Sequence, residues 1–417
     1  MAARFTLASG LTTKLEACSA YLASFSKRSL SLLLLLTVTI TVCFLYSSHA
    51  PNYLSNTPNG FLYARNASHL LSSGTYDCAQ CKTPPIEKYT EEQVFEACLD
   101  PGVVPEYYLS VVFVTRNDNY GDQEYHRVQN AIDSTFLLAE NTTTLIELLI
   151  IEWNPPAGRR SVRDMYHFRR SSYLTYRIIT VTPRLHDKVS RNDHALYEYE
   201  GKNMGIRFAR GAFVVCTNQD DIWSPNMHNA IASRSWRKKM FYTQFQDSHI
   251  EYDSLPSTLV QIPSFPSDDI LLRACEHDAF EAGAFVMPEP VTVNTSNFLQ
   301  IGREASDFTL AHRDTWKLTA GYREMGAKTW MDMELLLTAA WSLDIPVTYS
   351  EHPFTCHQQH RPVAHPNTEN ENQDVYVDRM QTKEELHMND GKSWAMQTMD
   401  LWRDGLRCEV FRGGLGI

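Results

Sequence analysis

The feature that most constrains the fold of this chain is a short apolar run that ends abruptly in acidic residues. Residues 212–216 (AFVVC) are apolar, and residues 217–221 (TNQDD) follow them directly. Such a run predicts a buried strand, and open α/β sheets bind their ligands beyond the carboxyl ends of the strands. Two adjacent acids there can hold a divalent cation. The alternative is a turn or a cap, which is the commoner role of Asp-Asp after a strand.

Strands and helices alternate before this run. Apolar runs at residues 108–114, 145–151 and 176–181 predict three strands, and helices are predicted from residue 122 onward and over about residues 195–210. This alternation predicts βαβ units, and therefore an α/β fold with a mixed, mostly parallel sheet flanked by helices.

Three polar residues follow strands in this arrangement. They are Asn117, Glu152 and Asp220. Because the carboxyl ends of parallel strands meet at one edge of a sheet, we expect these side chains to converge there. Directly beyond the acids, Ser224 and Pro225 predict a helix start, as N-cap and first helical residue.

The second half of the chain is less regular. Residues 240–246 form a further strand candidate, whereas residues 247–297 contain scattered prolines and predict loops and insertions. Residues 330–337 (WMDMELLL) predict the start of a helix, with Asp332 near its beginning. Taken alone, an acid in that position is more often a helix cap or a first-turn acid than a functional group.

The N-terminal region predicts a membrane anchor. Residues 29–46 are apolar and uncharged, Lys27 and Arg28 precede them, and no Lys or Arg follows until Arg65. The positive-inside rule then predicts a cytosolic tail at residues 1–28, a transmembrane signal anchor at 29–48 and a lumenal stem at 49–104. A cleaved signal peptide is the alternative, although no obvious cleavage site follows the apolar run.

Glycosylation patterns and cysteines agree with a lumenal main body. Acceptor patterns begin at Asn66, Asn141 and Asn294. An oxidising lumen would pair several of the seven cysteines beyond the anchor, and we expect Cys216, inside a buried strand, to be free. Cys408 is expected to tie the C-terminal tail to the main domain. The spacing of Cys78 and Cys81 also fits half a zinc site, but a second such pair is missing, so a disulfide is favoured.

The charge of the chain bears on its partners. The formal net charge is -11, and no basic stripe with interleaved aromatic residues is present. Both observations argue against a nucleic-acid partner.

Four motifs, taken in this order and spacing, resemble the GT-A glycosyltransferases, particularly those of family 2. The opening strand of that family resembles residues 110–117, and its second strand resembles residues 147–153. The helix before its metal-binding strand resembles residues 202–211 (KNMGIRFARG). Residues 218–220 (NQD) stand where the family has Asp-x-Asp. The resemblance covers about residues 109–360 and implies a Rossmann-like GT-A domain over residues 105–365, with a C-terminal tail at 366–417 packed on it.

The resemblance also implies roles for individual residues. Asp332 matches the general base, Glu152 the acid that contacts the nucleotide base, and Asn218 the residue that meets the ribose. The implied nucleotide-sugar site comprises Thr115, Asn117, Glu152, Lys202, Asn203, Asn218 and Asp221. The acceptor or phosphate side comprises Asp307, Arg313 and Glu334, and the metal ligands are Asp220 and a late histidine, His357 or His360. The implied cofactor is a divalent cation, Mn²⁺ with Mg²⁺ as the alternative.

Two departures from the family pattern are present. Asn218 replaces the first acid of Asp-x-Asp, and Met331 stands where the family often has Glu. An amide still hydrogen-bonds a ribose hydroxyl but brings no charge to a metal. From the resemblance and the predicted topology together, we expect a Golgi or ER type II glycosyltransferase. The resemblance implies a nucleotide-sugar donor, most simply a UDP-sugar, and an acceptor hydroxyl of a glycan, protein or lipid. It also implies inversion at the anomeric carbon. The alternatives are a retaining or nucleotide-sugar-hydrolysing GT-A relative, and a catalytically silent binding protein on the same fold.

Overall fold

A nine-stranded sheet with parallel strands at its centre forms the middle of the structure, which is a computed structural model. The structure describes residues 90–244, 259–276, 287–294, 297, 301, 308–326, 331–350, 352–361, 382 and 388–413. All of them belong to one unit of the chain, Asn59–Ile417.

The strands of the described residues are short and are spread from residue 107 to residue 411. They are β1 (Tyr107–Thr115), β2 (Ile146–Trp153), β3 (Leu174–Val181), β4 (Gly211–Thr217), β5 (Asp221–Trp223), β6 (Phe241–Gln244), β7 (Leu259–Val260), β8 (Pro290–Val291), β9 (Phe308–His312), β10 (Val347–Ser350), β11 (Thr355–Gln358) and β12 (Arg407–Phe411).

Helices separate many of the strands. They are α1 (Glu91–Leu99), α2 (Glu124–Thr142), α3 (Val162–Met165), α4 (Pro183–Val189), α5 (Glu198–Phe208), α6 (Pro225–Ser233), α7 (Asp268–Arg273), α8 (Arg313–Thr319), α9 (Met331–Ser342) and α10 (Leu401–Asp404). The strands and helices predicted around the acidic motif are confirmed, including the cap of α6, where the Ser224 side chain accepts from Met227 N.

The order of strands in the large sheet is β12-β3-β2-β1-β4-β9-β6-β10-β8. Strands β3, β2, β1 and β4 are parallel to one another, whereas β9 is antiparallel to β4 and β12 is antiparallel to β3. The order reverses direction between β1 and β4, since β2 and β3 lie on one side of β1 and β4 on the other. Open α/β sheets bind ligands at such a point, beyond the carboxyl ends of the strands.

Both faces of the central strands are buried, which explains why they read as continuous apolar runs. In β1, Val112 and Val114 pack in the layer that contains α5 and α9, and Val111 and Phe113 pack in the layer that contains α2 and α6. The mixed α/β sheet flanked by helices that the alternation predicted is therefore confirmed.

Two glycines of α5 let this helix lie close to β1. A Cβ at Gly201 would meet Val114 Cγ1 at 2.8 Å, and one at Gly205 would meet Val112 Cγ1 at 2.2 Å. Backbone atoms can approach this closely only where there is no side chain. The close approach brings the N-terminal half of α5, with Lys202 and Asn203, against the edge where β1 and β4 end.

One ion pair lies inside the sheet. Glu147 of β2 contacts Arg177 of β3 at 2.5 Å between Oε1 and NH2, and both side chains are essentially unexposed. Ser110 Oγ and Arg210 N also donate to this carboxylate, at 2.7 and 3.0 Å. Burial lowers the pKa of Arg177 to about 10, and Glu147 offsets part of the effect. Paired and hydrogen-bonded in this way, the two charges are tolerated in an apolar layer.

Segments on both sides of the predicted main domain pack against it. The predicted stem reached residue 104, but α1 lies within it, and Phe95 and Leu99 of this helix are buried in the core. At the other end, β12 of the tail joins the large sheet beside β3. A disulfide between Cys98 and Cys408 links the two segments, so the prediction that Cys408 ties the tail to the domain is confirmed.

A second disulfide joins Cys275 and Cys356, and Cys216 is free and buried, as predicted. Cys78, Cys81 and the predicted anchor at residues 29–48 lie outside the described residues. Among the helices that are described, none is both long enough and apolar enough to cross a membrane.

Candidate active site

The turn after β4 is shaped by Asp221. Its Oδ2 accepts from Thr217 Oγ1 at 2.6 Å and from Asn218 N at 3.1 Å. These two hydrogen bonds link the end of β4 to the start of β5 and hold the turn in place. Burial raises the pKa of Asp221, and the neighbouring His357 offsets part of this effect. The other carboxylate oxygen of Asp221, Oδ1, lies 3.1 Å from His357 Nδ1. The adjacent Asp220 faces both His357 and His360.

Pairing between β5 and β11 brings histidines to Asp220. In this antiparallel pair His357 lies opposite Asp221. His357 Nδ1 is 3.7 Å from Asp220 Oδ1, and His360 Nε2 is 3.7 Å from Asp220 Oδ2. Gln358 fixes the arrangement, since its Nε2 donates to the backbone oxygens of Arg127 and Asp220 at 2.8 and 2.9 Å.

The three side chains form a donor set that fits a divalent metal ion. One ligand atom from each of Asp220, His357 and His360 lies within 4.8 Å of the others. Two imidazoles and one carboxylate suit a transition-metal dication such as Mn²⁺ better than the all-oxygen shells that Mg²⁺ and Ca²⁺ prefer. Burial lowers the pKa of His360, which keeps its ring neutral and able to ligate.

An arginine also reaches this cluster. Arg127 of α2 forms an ion pair with Asp220 through NH1 and Oδ2, and both side chains are almost entirely buried. Its NH2 donates to the backbone oxygen of Tyr120 in the loop after β1. In this structure, therefore, a protein cation neutralises the carboxylate that the metal would use.

A second buried acid lies at the beginning of α9. Asp332 is 5% exposed, and Tyr199 of α5 donates its hydroxyl to Asp332 Oδ1 at 3.2 Å. Burial raises the pKa of Asp332 to about 6, and Lys202 offsets part of the effect. A carboxylate whose pKa lies just below neutrality is a better proton acceptor than an exposed one and is still mostly ionised at pH 7.

Lys202 connects the two acidic regions. Its Nζ lies 2.7 Å from Glu198 Oε1 and donates to Asn218 Oδ1 at 3.4 Å. It is 1% exposed and also acts electrostatically on Asp332. A single buried ammonium thus lies between the turn that carries Asp220 and the helix that carries Asp332.

Asn203, the next residue, holds a turn. Its Oδ1 accepts from Tyr322 N at 2.8 Å, and its Nδ2 donates to Tyr322 O and to Glu324 Oε1 at 2.8 and 2.9 Å. The turn includes Gly321 at φ +70°, where a Cβ would meet Asn203 Oδ1 at 2.1 Å. These contacts fix the segment that precedes α9.

Thr115, Asn117 and Glu152 lie at the same edge of the sheet as Asp220, as expected from the strand order. All three side chains hydrogen-bond to protein groups. Thr115 donates to Glu124 Oε1 at 3.0 Å, and Asn117 donates to Arg160 O at 2.8 Å. Glu152 accepts from Val162 N at 2.8 Å and from Thr180 Oγ1 at 2.9 Å. Roles for these residues toward a nucleotide stay predictions.

The structure locates two of the three residues predicted for the acceptor or phosphate side. Arg313 lies at the opposite edge of the sheet, because β9 is antiparallel to β4 and ends beside Phe213, near the start of β4. Its NH2 donates to Gly102 O at 3.2 Å, before β1. The prediction that Arg313 lies near the phosphates is therefore wrong. Glu334 is buried on α9 and contacts Arg323 at 3.2 Å, and Asp307 lies outside the described residues.

Sequence reasoning missed two residues of the site. Arg127 occurs in an ordinary helical pattern, and Tyr199 resembles a core aromatic residue, so neither carries a local signal. Their roles depend on contacts with Asp220 and Asp332, which are 93 and 133 residues away along the chain. His360 was considered beside His357, and the structure brings both to the same acid.

Comparisons with known proteins give limited information. No family model matches the chain, and no curated protein sequence matches it. Among solved structures, it is similar to the catalytic domain of Drosophila β1,4-galactosyltransferase 7 in complex with xylobiose, at 8% identity and a TM-score of 0.30, over 63% of this chain and 77% of that one.

A second similar structure is GalNAc-T7 with UDP, GalNAc and Mn²⁺, at 11% identity and a TM-score of 0.34. This similarity covers 61% of this chain and 44% of that one, so it spans less than half of the known protein.

Proposed function

We propose that this chain is a glycosyltransferase that moves a sugar from a nucleotide-sugar to an acceptor hydroxyl with the assistance of a divalent cation. The observation that carries the proposal is the combination of an Asp-His-His cluster at the switch point of the sheet with a buried, proton-accepting Asp332. Lys202 lies between these two groups. A metal site and a base held apart on a rigid scaffold are what transfer from a diphosphate requires.

Asp220, His357 and His360 would hold the cation. When bound, the cation supplies positive charge that neutralises the departing diphosphate as the glycosidic bond breaks. Asp220 lies in the turn before β5, His357 on β11 and His360 just beyond β11. Gln358 holds the backbone of Asp220. The backbone that carries Asp220 is therefore held in place, which limits the reorganisation needed when a cation binds.

Asp332 would act as the general base. It takes the proton of the acceptor hydroxyl, whose oxygen attacks the anomeric carbon while the diphosphate leaves from the other face, so the configuration inverts. Tyr199 donates to Oδ1, and the backbone N–H of Met333 also donates to this carboxylate, so its orientation is fixed. The burial that raises the pKa of Asp332 also excludes water, so attack by the acceptor is favoured over hydrolysis.

Further parts of the proposal concern the substrate and the cell. We assign a UDP-sugar donor, with Asn218 toward the ribose and Glu152 toward the base, and an acceptor that is a glycan, a protein or a lipid. We also assign a single-pass type II topology in the Golgi or ER membrane with the main domain in the lumen. The charge asymmetry around residues 29–46 supports this topology, and the Cys98–Cys408 and Cys275–Cys356 disulfides support an oxidising compartment.

The test is a donor panel on the full chain purified in detergent. Each of a set of nucleotide-sugars is incubated with a mixture of acceptors, with Mn²⁺ or with EDTA, and both the free nucleotide and the glycosylated product are measured by mass spectrometry. We expect one donor to give equal amounts of nucleotide and product, with Mn²⁺ increasing both.

Two matched variants sharpen this test. Asp220→Asn should abolish the response to Mn²⁺, whereas Asp314→Asn, at a mostly exposed acid of α8, should behave as wild type. Free nucleotide without product would indicate a hydrolase, and binding without turnover would indicate a silent binding protein. Either result would contradict the proposed transfer.

A further inference from the structure

The residue that carries a further inference is Arg127. Its side chain is 6% exposed and contacts the metal cluster and the loop after β1 at the same time. NH1 pairs with Asp220 Oδ2, and NH2 donates to Tyr120 O and, at 3.3 Å, to Asp122 O. Its Nε is buried and makes no hydrogen bond within the described part of the chain.

The arginine and a metal ion would bind the same carboxylate. Asp220 Oδ2 accepts from Arg127 and lies 3.7 Å from His360 Nε2, and Asp220 Oδ1 lies 3.7 Å from His357 Nδ1. A dication and a guanidinium on one buried carboxylate would repel each other strongly, because little water is present to screen them. The two cations therefore compete for Asp220.

The loop after β1 packs on both Arg127 and His360. A Cβ at Gly121 would lie 2.5 Å from His360 Nδ1 and 3.1 Å from Arg127 NH2. The Tyr120 ring lies 5.2 Å from the His360 ring, centroid to centroid. A movement of Arg127 away from Asp220 would therefore also shift the loop that borders the proposed donor site.

We propose that Arg127 is the counter-cation of the metal-free site and becomes a ligand of the nucleoside diphosphate once the metal has taken Asp220. This inference rests on the proposed function. Without the metal, the guanidinium neutralises a buried carboxylate that would otherwise be costly. With the metal bound, NH1 is released from Asp220 and becomes a charged donor for a phosphate oxygen, while NH2 keeps the guanidinium attached to the loop after β1.

The proposal predicts changes of opposite sign in one variant. Arg127→Gln removes the competitor for Asp220, so Mn²⁺ should bind the nucleotide-free protein more tightly, on the order of tenfold. The same variant lacks the phosphate ligand, so UDP should bind the Mn²⁺-saturated protein more weakly, also on the order of tenfold. A residue that only supported the fold would weaken both.

The experiment uses the full chain in detergent. Free Mn²⁺ is counted by electron paramagnetic resonance during a titration without nucleotide, and UDP binding is then measured by calorimetry at saturating Mn²⁺. Arg361→Gln is the matched control, because it removes the same charge from a side chain that contacts the same loop. The Arg361 side chain is 80% exposed and lies 3.8 Å from Asp122. We expect both affinities of this control to be close to those of wild type.

A second variant covers the case in which Arg127→Gln does not fold. Arg127→Lys keeps the charge, but a single ammonium cannot reproduce the guanidinium fork, so Mn²⁺ binding should tighten severalfold and UDP binding should weaken. Unchanged or weaker Mn²⁺ binding in both variants would overturn the role of Arg127.

A third measurement separates this failure from failure of the proposed function. If Asp220→Asn binds Mn²⁺ as tightly as wild type does, then the cluster is not a metal site, and both proposals are overturned. If Asp220→Asn loses Mn²⁺ and the Arg127 variants do not gain it, only the inference about Arg127 is overturned.

Discussion

Replacing Asp332 by Asn tests the proposed base most directly. Asn keeps the size of the side chain and can still accept from Tyr199, but it cannot take a proton. Loss of a general base lowers the transfer rate by about a hundred- to ten-thousand-fold. The metal cluster does not include Asp332, so the affinities for Mn²⁺ and for the nucleoside diphosphate should stay within about twofold of wild type.

The pKa of Asp332 sets the pH profile of the wild-type enzyme. Burial raises the pKa to about 6. A base must be ionised to accept a proton, so activity should fall as the pH falls through this value. With this pKa, about nine tenths of the molecules carry the ionised base at pH 7 and slightly less than one tenth at pH 5, so the rate should fall about tenfold. The assay needs saturating Mn²⁺, because protonation of the imidazole ligands also weakens metal binding at low pH.

The same shift predicts a change in stability of the opposite sense. The pKa of Asp332 is raised in the folded protein from its ordinary value of 3.8 to about 6, so the folded state holds this proton more tightly than the unfolded state does. Stability is therefore lost as the pH rises from about 4 to about 6, at up to about 3 kcal/mol for this group. Asp332→Asn has no charge to bury, so it should unfold at a higher temperature than wild type at pH 7.5, and the difference should disappear near pH 4.

The matched control is an acid near the other end of α9. Asp344→Asn changes an exposed acid beyond the C-terminal end of the same helix, at φ 49°, where Asn is readily accommodated. We expect no change in its rate or melting temperature. If Asp332→Asn transfers sugar at the wild-type rate, or is less stable than wild type at pH 7.5, then Asp332 is a helix-start acid and the base lies elsewhere.

Three further predictions concern the metal, the base and the core. His357→Ala and His360→Ala should each weaken Mn²⁺ binding by at least about tenfold in calorimetry, whereas His228→Ala on α6 should not; retained affinity would remove that histidine from the metal site. Tyr199→Phe removes the hydrogen bond to Asp332, so the acidic limb of the pH–rate profile should move to higher pH, and an unmoved limb would contradict this contact. Glu147→Gln should lower the free energy of unfolding in urea by about 3–5 kcal/mol, because Arg177 would stay buried without its partner, while Glu96→Gln on the exposed face of α1 should change little.

The sequence was informative where structure depends on local pattern. Strands β1 to β4 are buried on both faces, so their apolar runs and the polar residues that end them could be read directly. The cap at Ser224 is equally local. The proposed metal ligand Asp220 and the helix start at Asp332 could be located for the same reason, together with the resemblance to GT-A enzymes.

Other features depend on pairings that no local pattern reveals. Strand β12 contains Arg407 and Glu409 and does not resemble a core strand, yet it pairs with β3 at the edge of the sheet. Arg313 was misplaced because a strand in isolation does not show its direction, and β9 is antiparallel to its neighbour. The two histidines reach Asp220 only through the register of β5 against β11, which depends on contacts between distant segments.

The presence of Asn218 in place of the first acid of the Asp-x-Asp pattern has a physical explanation that can be tested. Its Oδ1 accepts from Lys202 at 3.4 Å, and Lys202 already pairs with Glu198 at 2.7 Å while acting on Asp332. An Asp at this position would add a negative charge beside the ammonium and would offset the positive charge that keeps Asp332 ionised. Asn218→Asp restores the Asp-x-Asp pattern, but it should raise the pKa of Asp332 and move the acidic limb of the pH–rate profile to higher pH. The rate at saturating Mn²⁺ is measured from pH 5 to pH 8 for both proteins. An acidic limb that stays in place, or moves to lower pH, would show that Lys202 does not couple the two acidic regions. The occurrence of Asn at position 218 would then need a different explanation.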